Sequence, residues 1–193
     1  MRVLGIDPGL TRCGVGIVDV TASRTAALVY VGVIQTPPTM PLEQRLLAIA
    51  RGIAAALDEH EPDTVALERV FAQHNLRTVM GTAQASGVAL HVAAARGLSV
   101  GLHTPSEVKA AITGYGAADK RQVGVMVARV LGLVEVPRPA DAADALALAI
   151  CHAWRSGTWS DASRRGITAS ALTPAQRAWR AAEKSAAAPR LPS

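Results

Sequence analysis

The chain has 193 residues, half of them hydrophobic and only 3% aromatic. A chain of this length and apolar content can bury a core, which excludes a disordered protein. Its three tryptophans, two tyrosines and one phenylalanine are too few to stack many bases of a single-stranded nucleic acid.

The net charge of +5 is concentrated at the C-terminus. Residues 1–154 contain 13 Lys and Arg against 13 Asp and Glu, whereas residues 155–193 contain seven against two. The overall basic character therefore says little about the first part of the chain, where phosphate binding would need local clusters. We expect one domain over residues 1–154 and a basic, mobile tail over residues 155–193.

Cysteine usage and hydropathy bear on the cellular compartment. Cys13 and Cys151 match neither a zinc spacing nor a disulfide framework, so we expect two small buried hydrophobes in a reducing environment. The first apolar run is interrupted by Asp7, too early for a signal peptide, and no apolar run reaches the length of a membrane span. The sequence thus predicts a soluble cytoplasmic protein that does not bind a membrane.

The first third of the chain is typical of strands. Residues 2–7, 12–20 and 26–35 are apolar or β-branched and are separated by short turns, which favours an antiparallel meander. Apolar residues then recur at spacings of three and four from Leu42 to Leu57, which predicts an amphipathic helix ending near His60.

From residue 64 onward, strands alternate with helices. The predicted strands are 64–67, which leads into Glu68, and 98–103, and the predicted helices are 75–96, 105–112, 119–131 and 140–154. A meander followed by such alternation indicates an α/β domain with a mixed five-stranded sheet and flanking helices.

Four carboxylates are distinguished by their positions. Asp7 and Glu68 each follow an apolar strand, and adjacent parallel strands bring such ends to the same edge of a sheet. Asp141 and Asp144 are three residues apart near the start of the last helix and therefore share a face. If that helix packs across the sheet, all four acids meet in one cleft.

A cluster of this kind repels itself unless a cation lies within it. Oxygen ligands without His or Cys suit a hard cation such as Mg²⁺, with Mn²⁺ as an alternative. Two such ions about 3.5–4 Å apart can activate water and stabilise the leaving oxygen of a phosphodiester. The pattern therefore predicts a two-metal phosphodiester hydrolase.

Each acid also has an ordinary structural interpretation. Asp141 can cap the last helix, and taken alone this is the better explanation of that residue. Asp7 can be a turn residue before Pro8, and Glu68 can pair with Arg69 at the surface. It is the joint pattern of the four that favours a site.

Four segments of the chain resemble, in order and spacing, the RuvC family of Holliday-junction resolvases. They are Gly5-Ile6-Asp7-Pro8-Gly9, Ala66-Leu67-Glu68-Arg69-Val70-Phe71, Gly114-Tyr115-Gly116-Ala117-Ala118-Asp119-Lys120 and Asp141-Ala142-Ala143-Asp144-Ala145-Leu146-Ala147. The resemblance covers residues 1–154. It implies a ribonuclease H-like fold and a homodimer that makes paired cuts in four-way DNA junctions with a divalent metal, in recombination and repair. It also implies that Asp7, Glu68, Asp141 and Asp144 are the catalytic metal ligands, and it suggests the RuvA and RuvB branch-migration proteins as partners.

Several residues are candidates for DNA contacts. Phe71 is expected either to stack on a base exposed at the junction or to lie in the core, and the resemblance favours the DNA role. Taken individually, Lys109, Lys120 and Arg121 are most simply explained as solvent-exposed charges on helices. The resemblance favours a DNA contact for Lys109 and Lys120. The predicted DNA contacts are Phe71, Asn75, Lys109, Tyr115, Lys120 and Arg121. Among His74, Asn75 and Arg77, the sequence does not decide which one touches DNA.

The helix over 75–96 is rich in Gly, Ala and Ser, which permits close backbone approach to its own sheet or to a second subunit. We expect it to take part in the dimer interface.

Two other functions remain open at this stage. The segment Asp7-Pro8-Gly9-Leu10-Thr11 also resembles the first phosphate loop of actin-like ATPases and sugar kinases, although those folds need two such domains. A non-catalytic adaptor that recognises branched DNA is the third hypothesis, with the acids as helix caps.

Overall fold

The computed structural model describes residues 1–70 and 76–164, with side chains described over 1–70 and 79–156. The chain divides into two compact units, Met1–Ser156 and Gly157–Ser193. The first unit contains the sheet and the predicted site.

Five strands form one mixed sheet, as predicted. They are β1 (Arg2–Asp7), β2 (Arg12–Val20), β3 (Ala26–Gln35), β4 (Thr64–Glu68) and β5 (Val100–His103), in the spatial order β3-β2-β1-β4-β5. The first three pair antiparallel as a meander, β4 runs parallel to β1, and β5 runs parallel to β4. The parallel half therefore places the ends of β1, β4 and β5 at one edge.

In the described part of the chain, five helices connect or flank the strands. They are α1 (Leu42–His60), α2 (Leu76–Ala94), α3 (Pro105–Thr113), α4 (Lys120–Val130) and α5 (Ala140–Arg164). Capping boxes begin two of them, with Thr104 and Glu107 at α3 and Asp119 and Gln122 at α4. The last helix extends to Arg164 rather than ending at Trp154 as expected, since no proline occurs before Pro174 to stop it.

The sheet separates two apolar cores, and β1 contributes alternately to both. Leu4 and Ile6 pack with α1 and α2 on one face, whereas Val3 packs with α3, α4 and α5 on the other. Because side chains alternate along a strand, Asp7 belongs to the face of Val3 and Gly5, which is the face that α5 covers.

Three glycines let the backbone of α5 lie directly on the sheet. Gly5 and Gly16 are paired across β1 and β2, and Gly14 is paired with Asp7. A Cβ atom on Gly5 would overlap the carbonyl oxygen of Ala145, and one on Gly14 would overlap that of Asp141. Side chains of any size at these positions would push α5 away, so the glycines fix where the first turn of α5 meets the end of β1.

Cys13 and Cys151 are buried and free, in agreement with the prediction. Within the described ranges, no helix has the length and apolar character needed to cross a membrane.

Candidate active site

The ends of β1 and β4 bring two acids together. In the parallel register Ile6 lies opposite Leu67, so the next residues, Asp7 and Glu68, are neighbours at the sheet edge. This is the convergence that the sequence predicts.

A cavity of about 270 Å³ lies at this edge, and α5 supplies its third acid. Asp7, Glu68 and Asp144 line it together with two lysines, Lys109 from α3 and Lys120 from α4. Apolar residues complete the wall: Pro105, Val108, Val123, Ala147 and Leu148. Three carboxylates thus share a small cavity with two ammonium groups.

The fourth acid is placed differently. Asp141 does not line the cavity, and its Oδ2 lies 2.7 Å from Nε of Arg12 at the start of β2. The side chain of Asp144 also has a cationic partner, since its Oδ2 accepts a hydrogen bond from Nζ of Lys120 at 2.9 Å. Two of the four predicted acids are therefore ion-paired.

Burial and repulsion act most strongly on Asp7. Desolvation, followed by the negative charges of Glu68 and Asp144, raises the pKa of Asp7 to about 7. Burial and the charge of Asp144 also raise the pKa of Glu68, while Lys120 and Lys109 oppose that rise. The charged forms of Asp7 and Glu68 are therefore energetically costly in the metal-free site, and a bound cation would relieve that cost.

The donor set fits a hard divalent cation. Among the residues that the structure describes, it consists of carboxylate oxygens without sulfur or imidazole, which is the preference of Mg²⁺ and Mn²⁺. Over residues 1–70 and 79–156, however, no three ligating groups are already gathered around a common point. Oδ2 of Asp141 instead pairs with Arg12 and Oδ2 of Asp144 with Lys120.

The predicted DNA-contact residues fall into three groups. Lys109 and Lys120 line the acidic cavity. Tyr115 and Arg121 line a separate cavity of about 500 Å³, where Tyr115 is 65% exposed. Phe71 and Asn75 lie outside the described residues.

Sequence reasoning missed the partner of Asp141. Arg12 and Gly14 are two residues apart on β2 and therefore face the same side of the sheet, which is the side covered by α5. The alternation of side chains along β2 was the available sequence signal for this pair. It points to Asp141 only when α5 is known to lie over β2.

A pair of histidines was also missed. Nε2 of His103 on β5 lies 2.9 Å from Nδ1 of His152 on α5, and Nε2 of His152 lies near the hydroxyls of Thr64 and Ser156. The ring of His152 occupies the space that a side chain on Gly101 would need. Burial lowers the pKa of His152 to about 4, so the ring is neutral near pH 7. Its contact with His103 links α5 to β5, in the parallel half of the sheet.

Comparison with known proteins assigns the family. The family model described as "Crossover junction endodeoxyribonuclease RuvC" matches residues 3–152. The chain belongs to the RuvC family. A family member from Leifsonia xyli subsp. xyli with that name is 69% identical, over 97% of this chain and 94% of its own. One from Clavibacter sepedonicus is 61% identical, over 95% and 97% respectively.

A solved family structure gives the same fold. "T. thermophilus RuvC in complex with Holliday junction substrate" superposes with a TM-score of 0.79 at 36% identity, covering 83% of this chain and 97% of that one. The ribonuclease H-like fold predicted from the sequence is confirmed.

The raised pKa of Asp7 predicts how metal-free stability depends on pH. Asp7 ionises near pH 4 when unfolded but near pH 7 when folded, so the free energy of unfolding falls as pH rises between these values and then levels off. We expect Asp7→Asn to flatten this fall and to stabilise the chelator-treated protein at pH 8 by roughly 1 to 3 kcal/mol. Chemical denaturation over this pH range is the measurement.

Asp58→Asn is the matched control, because Asp58 is an exposed carboxylate whose pKa is lowered by Arg96. It should not stabilise the protein at pH 8. An Asp7→Asn protein that is less stable than wild type at pH 8 without metal would contradict the electrostatic account of the site.

Proposed function

We propose that this chain is a divalent-metal-dependent endonuclease that resolves four-way DNA junctions by paired, symmetric phosphodiester hydrolysis in recombination and repair. The observation that carries the proposal is the cavity in which Asp7, Glu68 and Asp144 meet Lys109 and Lys120. Its acids suit a metal, and its lysines suit the phosphates of a DNA strand. Membership of the RuvC family supplies the substrate class.

The four acids have distinct parts in this proposal. Asp7, Glu68 and Asp144 hold the cation within the cavity, and Asp141 joins them after leaving Arg12. We propose Mg²⁺ as the metal, with Mn²⁺ as a substitute and two ions per site. Once bound, the metal would activate the attacking water and stabilise the leaving oxygen.

The positive side chains orient the DNA. In this proposal Lys109 and Lys120 contact the phosphates beside the scissile bond, which is supported by their position in the lining of the acidic cavity. Arg121 on α4 and Tyr115 in the loop before it contact DNA outside that cavity, and both line the separate cavity of about 500 Å³. Base stacking by Phe71 and a contact from Asn75 stay predictions from the sequence.

Neither alternative function accounts for the site as well. A binding adaptor has no need for Asp7, Glu68 and Asp144 to converge in one cavity, which costs stability without a cation. An actin-like ATPase is less well supported, because the family model that matches residues 3–152 describes a crossover junction endodeoxyribonuclease. The cytoplasmic location, the boundary and role of the tail over 155–193, and an association with RuvA and RuvB stay predictions.

The decisive test of the function uses a synthetic four-way junction, with a linear duplex of the same sequence as control. We expect symmetric nicks in the junction alone, and only when Mg²⁺ or Mn²⁺ is added. Asp7→Asn should lower cutting by about 100-fold or more while junction binding in Ca²⁺ is retained, since removing a metal ligand removes the chemistry.

The control variant is Asp58→Asn, which removes a carboxylate from a surface ion pair with Arg96 and should cut at the wild-type rate. Wild-type cutting by Asp7→Asn, or equal cutting of the linear duplex, would refute the assignment.

The proposed homodimer is supported by a stripe on α2. Its members are apolar or small and exposed, and they recur at alternating spacings of three and four residues: Met80, Ala83, Gly87, Leu90 and Ala94. That repeat is the seam pattern of paired helices. Met80 is 59% exposed and a side chain on Gly87 would meet nothing within 4 Å, so the face is open to a second α2.

We predict that Leu90→Glu weakens dimerisation by about tenfold or more, because it buries a charge in an apolar seam. Sedimentation velocity over a concentration series measures the effect. Leu47→Glu is the control, since Leu47 is exposed to a similar degree on α1 and should leave the dimer intact. A wild-type protein that stays monomeric at micromolar concentration would contradict the proposed interface.

A further inference from the structure

Arg12 stands apart from the other cations near the site. Lys109 and Lys120 line the acidic cavity, whereas Arg12 lies at the start of β2 and does not. Its Nε is 2.7 Å from Oδ2 of Asp141, and the two side chains form an ion pair. The Asp141 side chain is 27% exposed, so solvent screens the pair less than it would screen two fully exposed groups.

The backbone of Asp141 packs directly on β2. Its carbonyl oxygen and Cβ lie against Gly14, where any side chain on β2 would overlap them. With the backbone packed there, rotation of the Asp141 side chain is the route by which its carboxylate would enter the cavity, and that rotation breaks the contact with Arg12. The arrangement leaves Asp141 two alternative partners.

The electrostatics of Asp7 agree with this placement. Among the charges acting on Asp7, that of Asp141 is the smallest, below those of Glu68, Asp144 and Lys120. The charge of Asp141 is not among those that shift Glu68. With Arg12 attached, the fourth acid adds little negative potential to the cavity.

We propose that Arg12 is a positioning residue that competes with the metal for Asp141. Resting on the proposed metal-dependent function, this means that Arg12 holds the fourth carboxylate on the β2 side of the cleft until a cation draws it in. The pair reduces the repulsion among the acids in the metal-free protein, and it lowers the affinity for the metal because it must open before Asp141 can bind.

The direct test follows the arginine Nε–H resonances of the full chain by NMR during Mg²⁺ titration, without DNA. The Arg12 signal is assigned by its loss in Arg12→Gln. Arg96 is the internal control, because its Nε makes an ion pair of the same 2.7 Å length with Asp58 outside the site. We expect the Arg12 resonance to move toward that of a solvated arginine as Mg²⁺ saturates, while the Arg96 resonance stays in place.

Metal affinity gives a second readout that does not depend on activity. Calorimetric titration with Mn²⁺ should show about two- to fivefold tighter binding to Arg12→Gln than to wild type, which is the range expected for losing a competing, partly exposed ion pair. Arg96→Gln removes the same charge elsewhere and should bind like wild type.

The outcomes separate the two proposals. Binding of Mg²⁺ with an unmoved Arg12 resonance, or equal or weaker Mn²⁺ affinity of Arg12→Gln, would overturn the role of Arg12 and leave the metal-dependent function standing. Absence of any metal binding would overturn both.

Discussion

The close approach of α5 to the sheet is the constraint on which the site depends. Gly5, Gly14 and Gly16 remove the side chains that would otherwise hold the helix off β1 and β2. Only with this contact does the first turn of α5 reach the end of β1, where Asp7 meets Asp144. The parallel pairing of β1 with β4 then adds Glu68. The geometry of the acidic cavity is thus set by backbone packing rather than by interactions among the acids.

That packing has an electrostatic cost, and the cost is informative about function. Burial together with neighbouring negative charge brings the pKa of Asp7 to about 7. The metal-free protein offsets part of the repulsion with its own cations, Lys120 at Asp144 and Arg12 at Asp141. In the proposed function, a divalent ion would satisfy the same carboxylates more completely, and it would compete with these side chains for them.

Much of the fold was predictable from the sequence because its signals are local. Apolar runs, residue periodicity and breaker residues located the five strands and five helices, and the strand ends at Asp7 and Glu68 indicated where those acids meet. The difference between Asp144, which lines the cavity, and Asp141, which pairs with Arg12, was not predictable. Both acids lie on one helix face, and only the position of α5 over Gly14 separates their surroundings. The contact of His103 with His152 was not predictable either, because the two residues are 49 positions apart in the sequence and meet only when α5 packs on the sheet.

The central claim is that the acids brought together by α5 form a metal site. The most direct measurement is an anomalous difference map from crystals of the full chain grown with Mn²⁺. The account predicts Mn²⁺ peaks within about 2.0–2.3 Å of carboxylate oxygens of Asp7, Glu68 and Asp144. Fully occupied Mn²⁺ elsewhere in the crystal, with none at these three carboxylates, would contradict it.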